Sequence, residues 1–307
     1  MTGSKLADSH RRLYQSGGIT IRVESDLPIT DTTFHPKLGL FEVEKPGDEI
    51  ISIHHHFSLP DLTPWDLGRE IYRRAPWAIR RAGDSYIYLG ISPDVRITRL
   101  LKVVVFNTAH TRGEIYNESD KDFLKGGLQS LTLFPTDQIL LARVLADRQG
   151  CYLHSSGLVL DGAGLLFVGH SDAGKSTMVK MLQDRAEILC DDRIIVRKWP
   201  EGFRIYGTWS HGEVPLVSPS SAPLKAILFL HKSKKNQLVR VKDRAEIVRK
   251  LLPCIPRGLV TPDWWAKTLA LMDHLAAGVP FYEMHFDKSG RIVPELENLA
   301  RGGSAEG

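Results

Sequence analysis

Gly164-Leu165-Leu166-Phe167-Val168-Gly169-His170-Ser171-Asp172-Ala173-Gly174-Lys175-Ser176-Thr177 is the stretch on which the fold turns. An apolar run ends at Val168, and from Gly169 to Ser176 the spacing is glycine, four residues, Gly-Lys-Ser. That order predicts a strand, a phosphate-cradling loop and a helix from Ser176 to about Asp184. Each part has a chemical reason. Glycines let backbone N–H groups turn inward against phosphate oxygens. The following helix start offers free amides and a positive dipole end. Lys175 reaches the β and γ oxygens, and Ser176 offers its hydroxyl to Mg²⁺. The nucleotide-binding set is Gly169, Ser171, Asp172, Ala173, Gly174, Lys175, Ser176 and Thr177. From ordinary residue usage, such a match arises by chance about once in a hundred chains of this length.

Moving outward, Gly157-Leu158-Val159-Leu160 precedes the stretch, joined to it by Asp161-Gly162. Asp-Gly between apolar runs signals a hairpin. Downstream, Ala186-Glu187-Ile188-Leu189-Cys190 predicts the next strand, ending on Asp191-Asp192. A helix of roughly ten residues is about 15 Å long, so the returning strand brings both aspartates back to the loop. One carboxylate can hold Mg²⁺ and the other can accept a proton from an attacking hydroxyl. An exposed turn is the plainer reading of two adjacent aspartates. Their position one helix and one strand past Lys175 favours the site.

The loop and the aspartate pair together resemble the catalytic domain of the HPr kinase/phosphorylase family. The similarity runs from about Tyr152 to Leu230 and includes His154, Tyr206-Gly207-Thr208-Trp209 and Pro223-Leu224-Lys225. It implies an α/β P-loop kinase domain related to phosphoenolpyruvate carboxykinases, using ATP and Mg²⁺ to phosphorylate a serine hydroxyl. By position, Asp191 resembles the family's general base. Asp192 resembles a metal-side carboxylate with Ser176, and His154 a histidine near the transferred phosphate. The split between the two aspartates is open to reversal. The family's Glu-Ile-Arg-Gly signature is absent, and Trp209-Ser210-His211-Gly212-Glu213-Val214 takes its place. That departure leaves the phosphorylase reaction and HPr itself without support. It makes the chain more similar to divergent relatives that modify peptides or free serine. The family also implies a homo-oligomer.

His211, Glu213 and Arg193 are further candidates for substrate or phosphate contacts, with Arg197 and Lys225 as possible clamps. A solvated loop and structural ion pairs are the plainer readings. His54-His55-His56 places His54 and His56 on one strand face, but no third ligand is evident, so a surface strand is expected. Trp264-Trp265 reads as helix packing.

The rest of the chain bounds the class. Apolar content of 42% and charged content of 25% suit a globular domain or two. A net charge of +4 without a basic stripe argues against nucleic acid. Three scattered cysteines argue against disulfides or a zinc framework. No apolar run is long enough for a membrane span, and no signal peptide is expected at the start. A cytoplasmic protein without membrane partners follows. Domains are expected at 1–125, small and β-rich, and at 126–300, the ATP-binding unit, with a loose tail at 301–307. Residues 1–16 are expected to fray, Gly39–Val43 to form a strand, and a short helix to start at Pro64 behind Thr63. Another helix is expected after Pro135 with Thr136 as cap, and others behind Asp243 and Thr261. The expected activity is phosphoryl transfer from ATP to a hydroxyl, serine foremost, of a peptide, protein or amino acid. A non-catalytic ATP-binding switch is the alternative, and a carboxykinase a distant third.

Overall fold

The computed structural model describes residues 9–74, 76–91, 99–132, 137–256 and 261–303. The chain is mixed α/β, built on two large sheets with few helices. It divides into two compact units, Met1–Asp137 and Gln138–Gly307. The division falls later than residue 125 because the intervening segment is tied to the first unit. Gly127 and Leu128 N–H donate to the carbonyls of Thr32 and Thr33. The Asp137 carboxylate accepts from the Leu131 and Thr132 amides at 2.8 and 2.7 Å. Thr136, expected to cap the helix Gln138–Ala146, lies outside the described residues.

The first unit is one eight-stranded sheet. Its strands are β1 (Arg11–Ser16), β2 (Ile19–Ser25), β3 (Glu49–His56), β4 (Arg69–Arg74), β5 (Trp77–Ala82), β6 (Ser85–Ile91), β7 (Leu100–Asn107) and β8 (Arg112–Asn117). Their order is β1-β2-β3-β8-β7-β6-β5-β4, with β2, β3 and β8 parallel and the remaining pairs antiparallel. Period-2 alternation sets the faces: Ile21 and Val23, Ile51 and Ile53, and Ile115 are buried. Arg11–Ser16 therefore does not fray; Leu13 and Tyr14 seat it against β2. Gly39–Val43 is not a strand. A one-turn helix, Pro36–Gly39, precedes a single bridge between Tyr14 and Glu42. The helix expected at Pro64 is absent as well. Trp65 N–H donates to the Leu62 carbonyl in one turn, and the Asp61 and Asp66 side chains draw in the Thr63 and Gly68 amides instead.

The second unit carries β9 (Gly150–Leu160), β10 (Ala163–Val168), β11 (Glu187–Cys190), β12 (Arg193–Trp199), β13 (Gly202–Tyr206), β14 (Ser221–Lys232), β15 (Gln237–Val241) and β16 (Phe281–Phe286). The long strands β9 and β14 each serve two neighbourhoods. The first half of β9 pairs β12 and its second half pairs β10 and β11. The start of β14 pairs β13, and the rest runs parallel to β10 and β16. Asp161 and Gly162 turn the β9–β10 hairpin with both φ angles positive, at 49° and 78°, as an Asp-Gly turn requires.

Both faces of the β10–β14–β16 core are covered, which is why β10 and the middle of β14 read as continuous apolar runs. Leu165, Phe167, Leu228 and Leu230 pack against Met178, Val179 and Leu182 of the helix Lys175–Leu182 and against the helix Val293–Ala300. Leu166, Val168, Ile227 and Phe229 pack on the opposite side against the helices Arg244–Leu251 and Pro262–Gly278. Asp243 and Thr261 cap those two helices as their sequence implies. Trp264 is buried and its Nε1 donates to the Ala142 carbonyl at 3.0 Å, so it packs rather than waits for a ligand. Gly303 N–H donates to the Asn298 carbonyl at 2.9 Å behind the last helix, and the rest of the expected tail lies outside the described residues. Among the described residues no helix is long and apolar enough to cross a membrane.

Candidate functional site

Strand direction gathers the candidate residues at one end of the second unit. β10 ends at Val168, level with Ser155 of β9 and Phe229 of β14. β11 is antiparallel to β9, hence parallel to β10, and delivers Asp191 and Asp192 beyond the same edge. β12 leaves from there with Arg193 opposite His154, and β13 returns to it at Tyr206.

The loop after β10 is short and tightly folded. Ala173 N–H donates to the His170 carbonyl at 3.2 Å. Gly174 starts the helix Lys175–Leu182 with φ 110°, and no side chain caps that helix start. A Cβ on Gly174 would lie 2.7 Å from Phe286 Cζ, so both its angle and its space demand glycine. Lys175 turns its ammonium back onto the loop, donating to the Gly169 and His170 carbonyls at 2.9 and 3.1 Å. Burial lowers its pKa, while Cys254, Asp192 and Asp191 act to raise it.

Asp191 and Asp192 face different surroundings. Asp191 is buried, and its carboxylate is gripped by the Gly212 N–H and by the Val214 N–H at 2.8 Å. Ser176 Oγ stands 3.3 Å from its Oδ2. A Cβ on Gly212 would approach both carboxylate oxygens to 3.3 Å. The hydroxyl predicted to share a metal with Asp192 thus sits beside Asp191.

Asp192 lies among Arg193, His154 and Ser210. Its Oδ1 is 2.6 Å from Arg193 Nη1 and 3.0 Å from His154 Nδ1, and Ser210 Oγ donates to Oδ2 at 3.1 Å. Burial would raise its pKa, but the His154 hydrogen bond and the Arg193 charge prevail and hold it below the usual carboxylate range. Arg193 Nη1 also touches His154 Nδ1. That nitrogen can accept from Arg193 or donate to Asp192, and the choice follows whether it carries a proton.

The remaining candidates divide. Glu213 is exposed and pairs with Lys180, whose charge holds its carboxyl below the ordinary value; Ser176 contributes in the same direction. His211 turns Nδ1 toward the Gly212 carbonyl at 3.1 Å. Arg193 keeps Nε buried without a hydrogen-bond partner. Ser171, Asp172 and Thr177 belong to the loop and first helical turn, with Asp172 at φ 66°. Arg197 and Lys225 are not brought to the site. Arg197 stacks over Trp199 at 4.4 Å, four residues along β12 from Arg193. Lys225 lies near the Gly164 end of β10, remote from the loop.

Other contacts carry no sequence signal of their own. Cys190 Sγ accepts from the Asp192 and Arg193 amides, each at 3.2 Å, and burial pushes its thiol up to about 12. Thr208 Oγ1 donates to the Arg193 carbonyl at 2.6 Å. Thr208 falls within the Tyr206–Trp209 stretch that carries the resemblance, and Ser210 within the Trp209–Val214 stretch that departs from the resembled signature.

The family model described as "SynChlorMet cassette protein ScmC" matches residues 129–251. No curated protein matches the chain. Among solved structures, the HPr(Ser) kinase/phosphatase from Coxiella burnetii is similar at 14% identity and a TM-score of 0.31, over 49% of this chain and 88% of that one.

Proposed function

We propose that the second unit transfers the γ-phosphoryl group of ATP to a hydroxyl, with serine of a peptide, protein or free amino acid as the acceptor class. The observation that carries this reading is the Ser176 hydroxyl 3.3 Å from the Asp191 carboxylate, at the uncapped start of a helix behind a glycine loop. Hard oxygen donors at that spacing suit Mg²⁺, and the free amides suit phosphate oxygens. Magnesium, when bound, neutralises charge developing on the transferred group.

The chain's own residues then have distinct tasks. Lys175 exchanges its two loop carbonyls for phosphate oxygens. Asp191, fixed by two backbone amides, holds the metal side with Ser176. Asp192 orients the acceptor hydroxyl and takes its proton. This is the reverse of the split expected from sequence. His154, within hydrogen-bond reach of Asp192 Oδ1, orients that carboxylate toward the acceptor, and Arg193 steadies negative charge at the same edge. Such chemistry is chiefly positioning and charge stabilisation.

The test is incubation with γ-labelled ATP, Mg²⁺, free L-serine and a panel of serine-bearing peptides. Label should appear on a serine oxygen, and Lys175→Met should abolish the transfer. Tight ATP binding with no label on any acceptor would favour the non-catalytic switch.

A further inference from the structure

The three consecutive histidines of the first unit acquire in the fold the partner that their own strand lacks. β2, β3 and β8 run parallel in register, so Glu24, His54 and Glu114 stand side by side, as do Ser25, His55 and Ile115. Alternation sends His55 into the core and leaves His54 and His56 on the polar face with Glu24 and Glu114. Asp26, one residue past the end of β2, closes over them. Its Oδ1 is 2.7 Å from His54 Nε2 and its Oδ2 is 2.9 Å from His56 Nδ1.

We propose that Asp26, His54 and His56 form a binding site for one divalent transition-metal ion of the zinc class, with Glu114 supporting His56 from behind. The donor set is two imidazoles and one carboxylate, which suits zinc, cobalt or nickel over magnesium. The three ligand atoms lie within 4.8 Å of one another. Tetrahedral coordination at zinc bond lengths wants them about 3.4 Å apart. All three side chains are partly exposed, so small rotations of Asp26, His54 and His56 would bring the donor atoms to that spacing.

The rings are already arranged. His54 and His56 stack at 4.5 Å, and His56 stacks on Tyr116 at 4.6 Å. His56 Nε2 donates to Glu114 Oε2 at 3.1 Å. That bond keeps a proton on Nε2. Nδ1, which faces Asp26 in the metal-free protein, is therefore the nitrogen a metal would take by displacing its proton, with the outer carboxylate arrangement typical of metal-bound histidine. Arg112 Nε lies 3.4 Å from the other oxygen of Glu114. A fourth position stays open to water. The site lies wholly within the first unit and does not depend on phosphoryl transfer in the second.

The experiment uses the untagged full chain, stripped with chelator, titrated with Co²⁺ and followed by visible absorption, then challenged with Zn²⁺. Saturating Mg²⁺–ATP is present so that the nucleotide site does not contribute. About one equivalent of Co²⁺ should give the bands of a low-coordinate complex, and Zn²⁺ should erase them. His54→Ala or Asp26→Asn should abolish the bands, and Glu114→Gln should weaken binding about tenfold. Undiminished bands in His54→Ala would overturn the proposal, as would no bands in the parent. Should a variant misfold, diethyl pyrocarbonate footprinting of the parent decides. Zn²⁺ should shield His54 and His56 selectively, and equal modification with and without Zn²⁺ would overturn the site.

Discussion

Asp191 and Asp192 are neighbours with opposite surroundings, and in the proposed reaction those surroundings separate their tasks. Asp191 takes its hydrogen bonds from backbone amides and sits beside Ser176. Asp192 takes its bonds from side chains that can move or change charge. Removing charge from either should cost at least about 100-fold in kcat, the ordinary scale for a positioned acid or base. The Mg²⁺ dependence should tell them apart. Asp191→Asn should need much more Mg²⁺ to reach its own maximum, whereas Asp192→Asn should keep the parent's Mg²⁺ dependence. Rates measured across a Mg²⁺ series check this, and the opposite pattern would restore the split first expected from sequence.

The crossing from β13 to β14 is the element that holds the candidate site together, and it is the least legible in the sequence. Its amides hold Asp191, its Ser210 holds Asp192 and its Thr208 anchors β12. Gly207 begins it where the chain passes under two backbone carbonyls. A Cβ there would stand 1.8 Å from the Ser218 oxygen and 2.9 Å from that of Leu189. Backbone cannot yield as a side chain can. Gly207→Ala should therefore destabilise the protein by several kcal/mol, about 3 or more, on the scale of severe steric substitutions. Denaturant unfolding measures the loss, and an alanine variant as stable as the parent would contradict the packing described. The loop, the Asp-Gly hairpin and the aspartate pair could be read directly because each depends on local residue chemistry. β1 and β4 could not, since runs such as Arg69-Glu70-Ile71-Tyr72-Arg73-Arg74 are too polar to announce a strand and are fixed by their neighbours. Asp26 escaped notice for a related reason. It is 28 residues from His54, and only the parallel β2–β3 register brings them together.

At the scale of the whole molecule, acid sensitivity has a definite origin in the first unit. His55 is fully buried and hydrogen-bonded as a neutral ring: Nε2 donates to the Leu131 carbonyl at 2.8 Å, and Nδ1 faces Asn117 Nδ2 at 3.4 Å. Burial lowers its pKa from 6.5 to about 3, with Lys102 and the flanking histidines pushing the same way against the Leu131 bond. The unfolded chain therefore binds a proton near pH 6.5 that the folded chain refuses until about pH 3. Stability from this group is intact above pH 6.5 and falls as pH drops through that interval, by at most about 1.4 kcal/mol per pH unit. Asp192, whose pKa is depressed, adds loss in the same direction only below the ordinary aspartate range. The thermal midpoint should consequently fall between pH 6.5 and 4.5, before the carboxylates titrate. His55→Gln keeps a polar side chain without a titrating proton. It should start less stable at pH 7.5 and lose less on acidification. Melting curves of the two proteins at pH 7.5, 6 and 5 decide, because parallel losses would place the acid sensitivity on other groups.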